Sequence, residues 1–291
     1  MQSSSSPAAA TALSEPLRRP RVVGWGRLPA WLRFTLLLAA LVGLWQAYVS
    51  LKDVNPLLFA SPRAVAEAFV DGWRDGTIPR ATWTTVKVLA LGIGIGALVA
   101  AVLTVFATLT KIGDDLLVLL TSILNPLPGV AVLPLALLWF GLNTNALLFV
   151  IANATIWPIA INVTTGFRTV NPTIVAVGRN IGLSSRRLVT DVLAPAALPH
   201  TISGLKAAWA FGWRTIIAAE LVFGVSGADG GLGFYINNAK LYLRIPQVFA
   251  GLVTIAILGV LFETVFGVLE RRTVVRWGMK TVPATSGGGE G

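Results

Sequence analysis

Two reactive residue types are missing or scarce: the sequence has no cysteine and a single histidine, His200. The lack of cysteine excludes disulfide scaffolds, thiolate metal sites and a cysteine nucleophile. One histidine excludes a metal site built from several imidazoles. None of the six lysines follows a glycine, so the Gly-Lys-Ser/Thr loop that cradles phosphates is missing as well. A nucleotide held by such a loop would have to lie on another chain.

Charged side chains are also scarce, at 12% of the 291 residues, whereas soluble domains average about 25%. Hydrophobic residues make up 55% of the chain, and the mean hydropathy is +0.74. The chain therefore lacks the polar surface that a water-soluble fold of this length needs. These values predict an all-α polytopic membrane protein, because a helix satisfies its own backbone hydrogen bonds in lipid.

Six apolar runs are candidates for membrane-spanning helices, each of which needs about 20 residues. The predicted spans are residues 34–49, 86–109, 116–140, 146–163, 201–222 and 248–269. They define a transmembrane domain over residues 34–270, between a disordered cytoplasmic tail, 1–33, and a second cytoplasmic tail, 271–291. An amphipathic helix from Ser61 through Trp73 is predicted to lie along the outer surface.

The net charge of +10 would indicate a nucleic-acid partner in a soluble protein. In a membrane protein, Lys and Arg instead collect on the cytoplasmic side. Of the 23 Lys and Arg, the six-span arrangement places 14 in the tails and inner loops, six in outer loops and three in or beside spans. This asymmetry predicts cytoplasmic termini, contact with lipid and no nucleic-acid partner.

Two features of the spans concern helix packing. Gly92, Gly96 and Ala100 recur at four-residue spacing, the pattern that lets helices approach closely in lipid. The third span is interrupted at residues 125–129, where two prolines each remove a helical hydrogen bond. A break that faced lipid would leave backbone groups unsatisfied. It is therefore expected to face protein or a water-filled path, with a plain structural kink as the alternative.

The longest polar interruption, residues 171–200, lies between the fourth and fifth spans. Asn171 followed by Pro172 is a favourable helix start, and Gly182 can end that helix. Ser184 or Ser185 then caps a second short helix over residues 186–193. The apolar contacts of the first helix are expected from Ile174, Val175 and Ile181. Two short helices bent at Gly182 indicate a docking element for a soluble partner, an amphipathic connector on lipid headgroups being the alternative.

Gly182 is followed by Val192 ten residues later and by Pro195 thirteen residues later. This spacing resembles the EAA loop, the cytoplasmic loop by which ABC-importer permeases contact their ATPase. Segments 177–184, 195–199, 213–220 and 231–234 are similar to the nitrate, sulfonate and taurine subgroup, and the resemblance runs from residue 30 to residue 275. It implies the type I ABC importer permease fold, with coupling helices that enter a groove on a separate ATP-hydrolysing subunit. It also implies that the chain is non-catalytic and has no cofactor of its own. The chain would form a homodimer in the bacterial inner membrane and would work with an extracytoplasmic solute-binding protein.

The resemblance assigns contact with the ATPase to residues of this loop, namely Ala176, Gly178, Arg179, Gly182, Leu183, Arg186 and Pro195. One position departs from the family pattern. The family places an acid where this chain has Ala176, so the usual charge-assisted contact is missing. Docking would then rest on apolar contacts and arginines. An acid at Ala176 is expected to be tolerated or to tighten docking, and a bulky residue at Gly182 is expected to uncouple transport.

Charged side chains within spans are costly and usually face the protein interior or water. Lys206 lies near the inner end of the fifth span, where it is expected to snorkel to the interface. Glu220 is interpreted as a structural anchor. Arg214 is the candidate for an anion pathway, because a guanidinium favours carboxylate, sulfonate or nitrate. The predicted pathway residues are Asn125, Pro128, Trp209, Trp213 and Arg214.

The sequence therefore predicts the membrane subunit of an ATP-driven importer for a small anion, with the path lined by the fifth span and the break in the third. Gly204, Ala208 and Gly212 form a small-residue face that is interpreted as part of a dimer interface. An ion-coupled secondary transporter is the first alternative. A membrane enzyme is the second, although the scattered acids and single histidine provide no catalytic cluster.

Overall fold

The computed structural model describes residues 28–52, 54–223 and 230–272, and every regular element within these ranges is helical. The chain divides into two compact units, residues 1–53 and 54–291. The first unit contains one described helix, α1 (Ala30–Leu51), which begins four residues before the predicted first span. Most of the predicted N-terminal tail, and the predicted C-terminal tail after Arg272, lie outside the described residues.

In the second unit, long apolar helices alternate with shorter connecting ones. The helices before the polar loop are α2 (Pro62–Arg74), α3 (Thr77–Leu109), α4 (Lys111–Leu124), α5 (Leu133–Phe140) and α6 (Thr144–Arg168). The loop itself contains α7 (Pro172–Asn180), α8 (Ser185–Arg187) and α9 (Ala194–Ala196). It is followed by α10 (Leu198–Phe223), α11 (Leu232–Leu241) and α12 (Ile245–Glu270).

The predicted amphipathic helix is confirmed as α2. Ser61 caps it by accepting a hydrogen bond from the Ala64 amide at 3.3 Å, and Pro62 occupies its first turn. Val65 is buried against the rest of the unit, whereas Trp73 remains 47% exposed. The helix therefore has one packed face and one open face.

Four described helices are long and apolar enough to cross a membrane: α1, α3, α6 and α12. The pair formed by α4 and the segment Gly129–Phe140 passes the same test together, but it is bent by 93° at the predicted interruption. α10 has 26 residues, enough length to cross, and carries three charged residues. The six-span arrangement stays a prediction, which requires that α10 and the bent pair each count as one span.

The core of the second unit forms where α3, α6 and α10 pack against one another. A side chain at Gly92 would overlap Ile151 of α6, and a side chain at Gly96 would overlap Thr155 of the same helix. Ala100, the next residue of the pattern, is fully buried. The four-residue spacing of small residues is thus confirmed as a close-packing face, and its partner is α6.

Two glycines of α3 provide a matched test of this packing. Gly96→Leu is expected to destabilise the detergent-solubilised protein by about 1–3 kcal/mol, because the added side chain must displace Thr155 and the backbone of Ala152. Gly94→Leu is the control, since a Cβ at Gly94 meets nothing within 4 Å. Thermal unfolding in the same detergent measures both. Equal losses of Tm in the two variants would contradict the assignment of the packed face.

The small residues of α10 are also used within the chain, which corrects the dimer-interface interpretation. A Cβ at Gly204 would lie 3.0 Å from that of Asn162 on α6, and one at Gly212 would lie 2.9 Å from Cδ1 of Leu89 on α3. Ala208, between them, is fully buried. Because α3 and α6 occupy this face, it is not available to a second copy of the chain.

Candidate coupling loop and transport pathway

The polar loop begins with the helix that the sequence predicted. Oδ1 of Asn171 accepts a hydrogen bond from the Thr173 amide at 2.9 Å, and Pro172 occupies the first turn of α7. The helix ends at Asn180, and Gly182 follows with a φ of +81°. Glycine adopts this left-handed conformation without the steric cost that a Cβ imposes. Gly182 is thus confirmed as the residue at which the chain turns.

The second arm of the loop leads directly into a long helix. Ser184, rather than Ser185, is the cap, because its hydroxyl accepts a hydrogen bond from the Arg187 amide at 3.4 Å. α8, a π-helical turn (Leu188–Leu193) and α9 then follow in succession, so the predicted second helix extends further than residue 193. Pro195 lies exposed in α9, and a single residue separates α9 from α10. The arm is therefore a nearly continuous extension of α10.

Apolar contacts hold the inner side of α7 against this arm. Val175 packs on a buried cluster that includes Val189 and Leu193. Gly178 is buried, and a Cβ there would lie only 2.9 Å from Cδ1 of Leu188. The missing side chain at Gly178 lets α7 lie directly on the π-helical turn. The two arms of the loop consequently pack as one body.

The outer side of α7 carries an exposed apolar stripe formed by Ile174, Val177 and Ile181, which are 53%, 52% and 71% exposed. Their spacing of three and four residues places them on one helix face. Only Val175 among the predicted apolar contacts is packed inside the loop, because Ile174 and Ile181 point to the opposite side. Ala176 is exposed next to the stripe. An exposed apolar stripe of this kind marks a surface that contacts another protein or the membrane.

Basic side chains accompany the stripe. Arg179 and Arg186 are exposed, whereas Leu183 is half-buried between them. Arg179 also lines a cavity of about 370 Å³ between the loop and the ends of α3, α4 and α6. In the wall of this cavity, Arg168 of α6 donates a hydrogen bond to Asp114 of α4. All the predicted coupling residues lie in this one loop, and Gly178 is the only one of them that is buried.

Arg214, the candidate for anion contact, lies on an open face of α10. It is exposed together with Phe211 and Val222, which are 52% and 67% exposed. The adjacent Trp213 and Thr215 are buried on other faces of the helix. The guanidinium therefore points away from the core of this chain, toward whatever fills the open side of α10.

The break in the third span lies against the same part of α10. A Cβ at Gly129 would meet Oγ1 of Thr215 at 2.6 Å and Cβ of Ala154 at 2.9 Å. Asn125 follows the last residue of α4, Pro128 precedes a short 3-10 turn (Gly129–Val132), and both are exposed. Gly129, at the end of the break, thus faces protein, where it packs against Thr215, the residue after Arg214.

The two candidate tryptophans belong to a different contact. The rings of Trp209 and Trp213 stack with centroids 6.3 Å apart, and the centroid of Trp209 lies 3.8 Å from that of Phe262 on α12. Lys206 forms an ion pair with Glu263 of α12 at 2.6 Å. The snorkelling of Lys206 to the membrane interface stays a prediction. These contacts fasten α10 to α12, and the structure does not bring the tryptophans together with Arg214.

Glu220 is a buried anchor, as interpreted, with a partner that the sequence did not reveal. The Thr85 hydroxyl donates to its carboxylate, whose oxygens lie 3.0 and 2.9 Å away, and the Gly233 amide donates to it at 2.9 Å. The Leu232 amide in turn donates to Thr85 Oγ1 at 2.8 Å. The sequence did not indicate Thr85 as the partner of Glu220, because 135 residues separate the two along the chain.

Long apolar helices and an exposed two-armed loop define a helical membrane protein with a surface on which a partner could dock. The family model for the binding-protein-dependent transport system inner membrane component matches residues 92–275, and the chain belongs to this family. It is the permease subunit of an ABC importer, with the type I permease fold, rather than an ion-coupled secondary transporter. Permease subunits of such importers are in general non-catalytic.

Relatives with known names agree with this family and cover most of the chain. The putative aliphatic sulfonates transport permease of Escherichia coli is 30% identical over 81% of this chain and 88% of its own length. The taurine transport system permease of the same organism is 28% identical over 81% of this chain and 86% of its own length. The nitrate import permease of Synechocystis is 28% identical over 92% and 98%. The predicted resemblance to this subgroup is confirmed.

Proposed function

We propose that this permease imports a small oxyanion through the bacterial inner membrane, with its loop on the cytoplasmic side. Two copies form the translocation path, and separate ATPase subunits dock on their loops and bind the ATP. The observation that carries the proposal is the exposed stripe of Ile174, Val177 and Ile181 on a loop that continues into the helix bearing Arg214. One helix, α10, would then connect the surface on which the ATPase docks with the path that the anion takes.

The coupling step follows from how the loop is built. The two arms pack through Gly178 and Leu188, so a partner that moves α7 also moves the π-helical turn. That turn leads through α9 into α10 with one residue between them. Closure of the ATPases would therefore shift α10 along or about its axis. Such a shift would reorient the open face of α10 between the two sides of the membrane, which is alternating access.

Docking on this loop would be mainly apolar. The exposed side of α7 offers the stripe and Arg179, with Ala176 at the position where the resemblance implies an acid. Because Ala176 is exposed, an acid placed there would stand at the surface and would not disturb the packing of Val175 or Gly178. The energy of docking is thus expected to come mainly from buried apolar area, less the entropic cost of association.

Variants of two adjacent residues test this docking surface. Val177→Asp is expected to weaken ATPase binding at least tenfold, because it places an unpaired charge in the apolar contact. Ala176→Glu is the control: it adds the same charge next to the stripe and should leave binding unchanged or tighter. Co-purification of the tagged permease with its ATPase, followed by titration of the ATPase, measures both. An intact complex with Val177→Asp would show that this stripe is not the docking surface.

The nature of the cargo rests on Arg214 and on the relatives. The relatives are named for aliphatic sulfonates, taurine and nitrate, and a sulfonate or nitrate group spreads negative charge over several oxygens. A planar guanidinium matches such groups with two parallel hydrogen bonds. An extracytoplasmic solute-binding protein would deliver the anion on the side opposite the loop. Mass spectrometry of small molecules released from that partner would identify the solute.

The energy source provides the overall test. Uptake of radiolabelled taurine, methanesulfonate or nitrate by cells expressing the complete system should survive an uncoupler for as long as cellular ATP is maintained. It should stop when the ATPase is inactivated. Uptake that collapses with the proton gradient, and a permease that purifies without any ATPase, would contradict the proposed coupling.

A further inference from the structure

A buried polar clamp joins α10 to the start of α11. Glu220 and Thr85 are 2% and 0% exposed, and their side chains bind the first two amides of α11, those of Leu232 and Gly233. The hydroxyl of Thr85, a residue of α3, donates to Glu220 of α10 and accepts from the Leu232 amide of α11, so it connects all three helices. The carboxylate lies at the N-terminus of α11, where the helix dipole favours a negative charge.

The backbone of α11 is shaped to accept this clamp. A Cβ at Gly231 would overlap the carboxylate of Glu220 and the hydroxyl of Thr85. A Cβ at Gly233 would lie 2.5 Å from Cβ of Glu220 and 2.8 Å from the carbonyl oxygen of Ile217. Both positions therefore require glycine, because only a bare backbone can approach α10 this closely. The clamp is a direct contact between the two helices, without a bridging side chain from α11.

The clamp and the coupling loop lie at opposite ends of the same helix. Glu220 is 22 residues beyond Leu198, the first residue of α10, which corresponds to roughly 33 Å along the axis. The far end of α11 reaches the surface at Asn238 and Leu241, and Asn238 lines a cavity of about 530 Å³ with residues of α2 and α12. α11 thus connects a surface remote from the loop with the buried end of α10.

Apolar contacts hold α11 to α12 independently of the clamp. A Cβ at Gly251 of α12 would lie 2.5 Å from Cγ1 of Ile236 and 3.1 Å from Cδ1 of Tyr235. Ile236 and Ala239 are buried as well. Loss of the clamp should therefore leave α11 packed on α12 and the fold intact. It should remove the polar connection of α11 to α3 and α10, while the close packing of Gly233 on α10 remains.

We propose that Glu220 and Thr85 are positioning residues that transmit docking of the solute-binding protein from α11 to α10, and through α10 to the coupling loop. This inference rests on the proposed function, since it assigns the surface formed by α2, α11 and α12 to the side on which the binding protein docks. A partner that presses on the exposed end of α11 displaces its clamped start. The clamp passes that displacement to α10, the helix that leads to the ATPase.

The test uses the assembled permease–ATPase complex in lipid nanodiscs, with the solute-binding protein as purified from cells. Thr85→Val removes the hydroxyl and keeps the shape of the side chain. We expect basal ATPase activity within about twofold of the unmodified complex and at least a fivefold smaller stimulation by the binding protein. Hydrogen exchange at the amide of Leu232, which loses its acceptor, should accelerate at least tenfold. Thr85→Ser, which keeps the hydroxyl, should restore both, and Glu220→Gln should fall between the two.

Two results would overturn the inference. Full stimulation of the Thr85→Val complex would show that the clamp transmits nothing, and equal loss of basal and stimulated activity would show a purely structural role. Failure of the proposed function looks different, because the unmodified complex would then show no stimulation by the binding protein. Even in that case, unchanged hydrogen exchange in Thr85→Val would show that the clamp does not hold α11.

Discussion

Replacing Arg214 with alanine is expected to reduce uptake of nitrate, methanesulfonate or taurine by about ten- to a hundredfold in proteoliposomes that contain the complete transporter. The guanidinium is exposed on the open face of α10 and is the charged group of the predicted pathway. Hydrogen bonds that involve a charged group contribute about 1.5–3 kcal/mol, and each 1.4 kcal/mol corresponds to a factor of ten. The loss should appear in uptake and in ATPase activity stimulated by the loaded binding protein.

Two further substitutions separate charge from position. Arg214→Lys keeps the charge but loses the two parallel hydrogen bonds, so its uptake should be intermediate. Lys206→Gln removes a cation from the same helix, but that cation is already paired with Glu263, so anion uptake should change less than threefold. If Arg214→Ala transported all three anions normally, the exposed face of α10 would not line the pathway.

Replacing Gly182 with valine is expected to uncouple ATP hydrolysis from transport. A residue with a Cβ pays about 1–2 kcal/mol in the left-handed conformation, and a β-branched residue tolerates it least. The φ of +81° at Gly182 would therefore shift toward ordinary values, and the two arms of the loop would no longer meet at the same angle. The solute transported per ATP hydrolysed should fall about tenfold.

Gly182→Asn is the matched control, because asparagine adopts the left-handed conformation more readily than other residues with a side chain. Its coupling ratio should stay within about threefold of the unmodified transporter. A Cβ at Gly182 meets nothing within 4 Å, so the backbone conformation, rather than the bulk of the new residue, causes the effect. Equal ratios for the valine and asparagine variants, measured as uptake over ATPase activity, would refute this explanation.

Features that depend on neighbours in the chain were readable from the sequence. The hydropathy and the scarcity of charge indicate the helical membrane class, because each helix satisfies its backbone within one segment. Asn171 and Gly182 mark the ends of α7 for equally local reasons, a side-chain cap and a left-handed turn. The spacing of Gly92 and Gly96 identified a packing face, although not the helix that occupies it. The coupling role of residues in this loop is different, because it was implied by the resemblance to ABC-importer permeases and stays a prediction.

The tertiary structure decided which surfaces meet. A small-residue face looks the same whether α6 or a second copy packs on it, so the role of Gly204 and Gly212 required the fold. The partners of Lys206 and Glu220 come from α12 and α3, since hydrogen bonds and ion pairs depend on distance in space and carry no signal along the chain. The same holds for Ile174 and Ile181, whose exposure is set by which side of α7 the second arm covers. The sequence by itself determined the class, the long apolar helices and the location of the loop, because those are local properties, but it did not reveal α11 or the sharp bend after α4. Only the packing of distant helices decided that α10 links the coupling loop at one end to the buried clamp with α11 at the other.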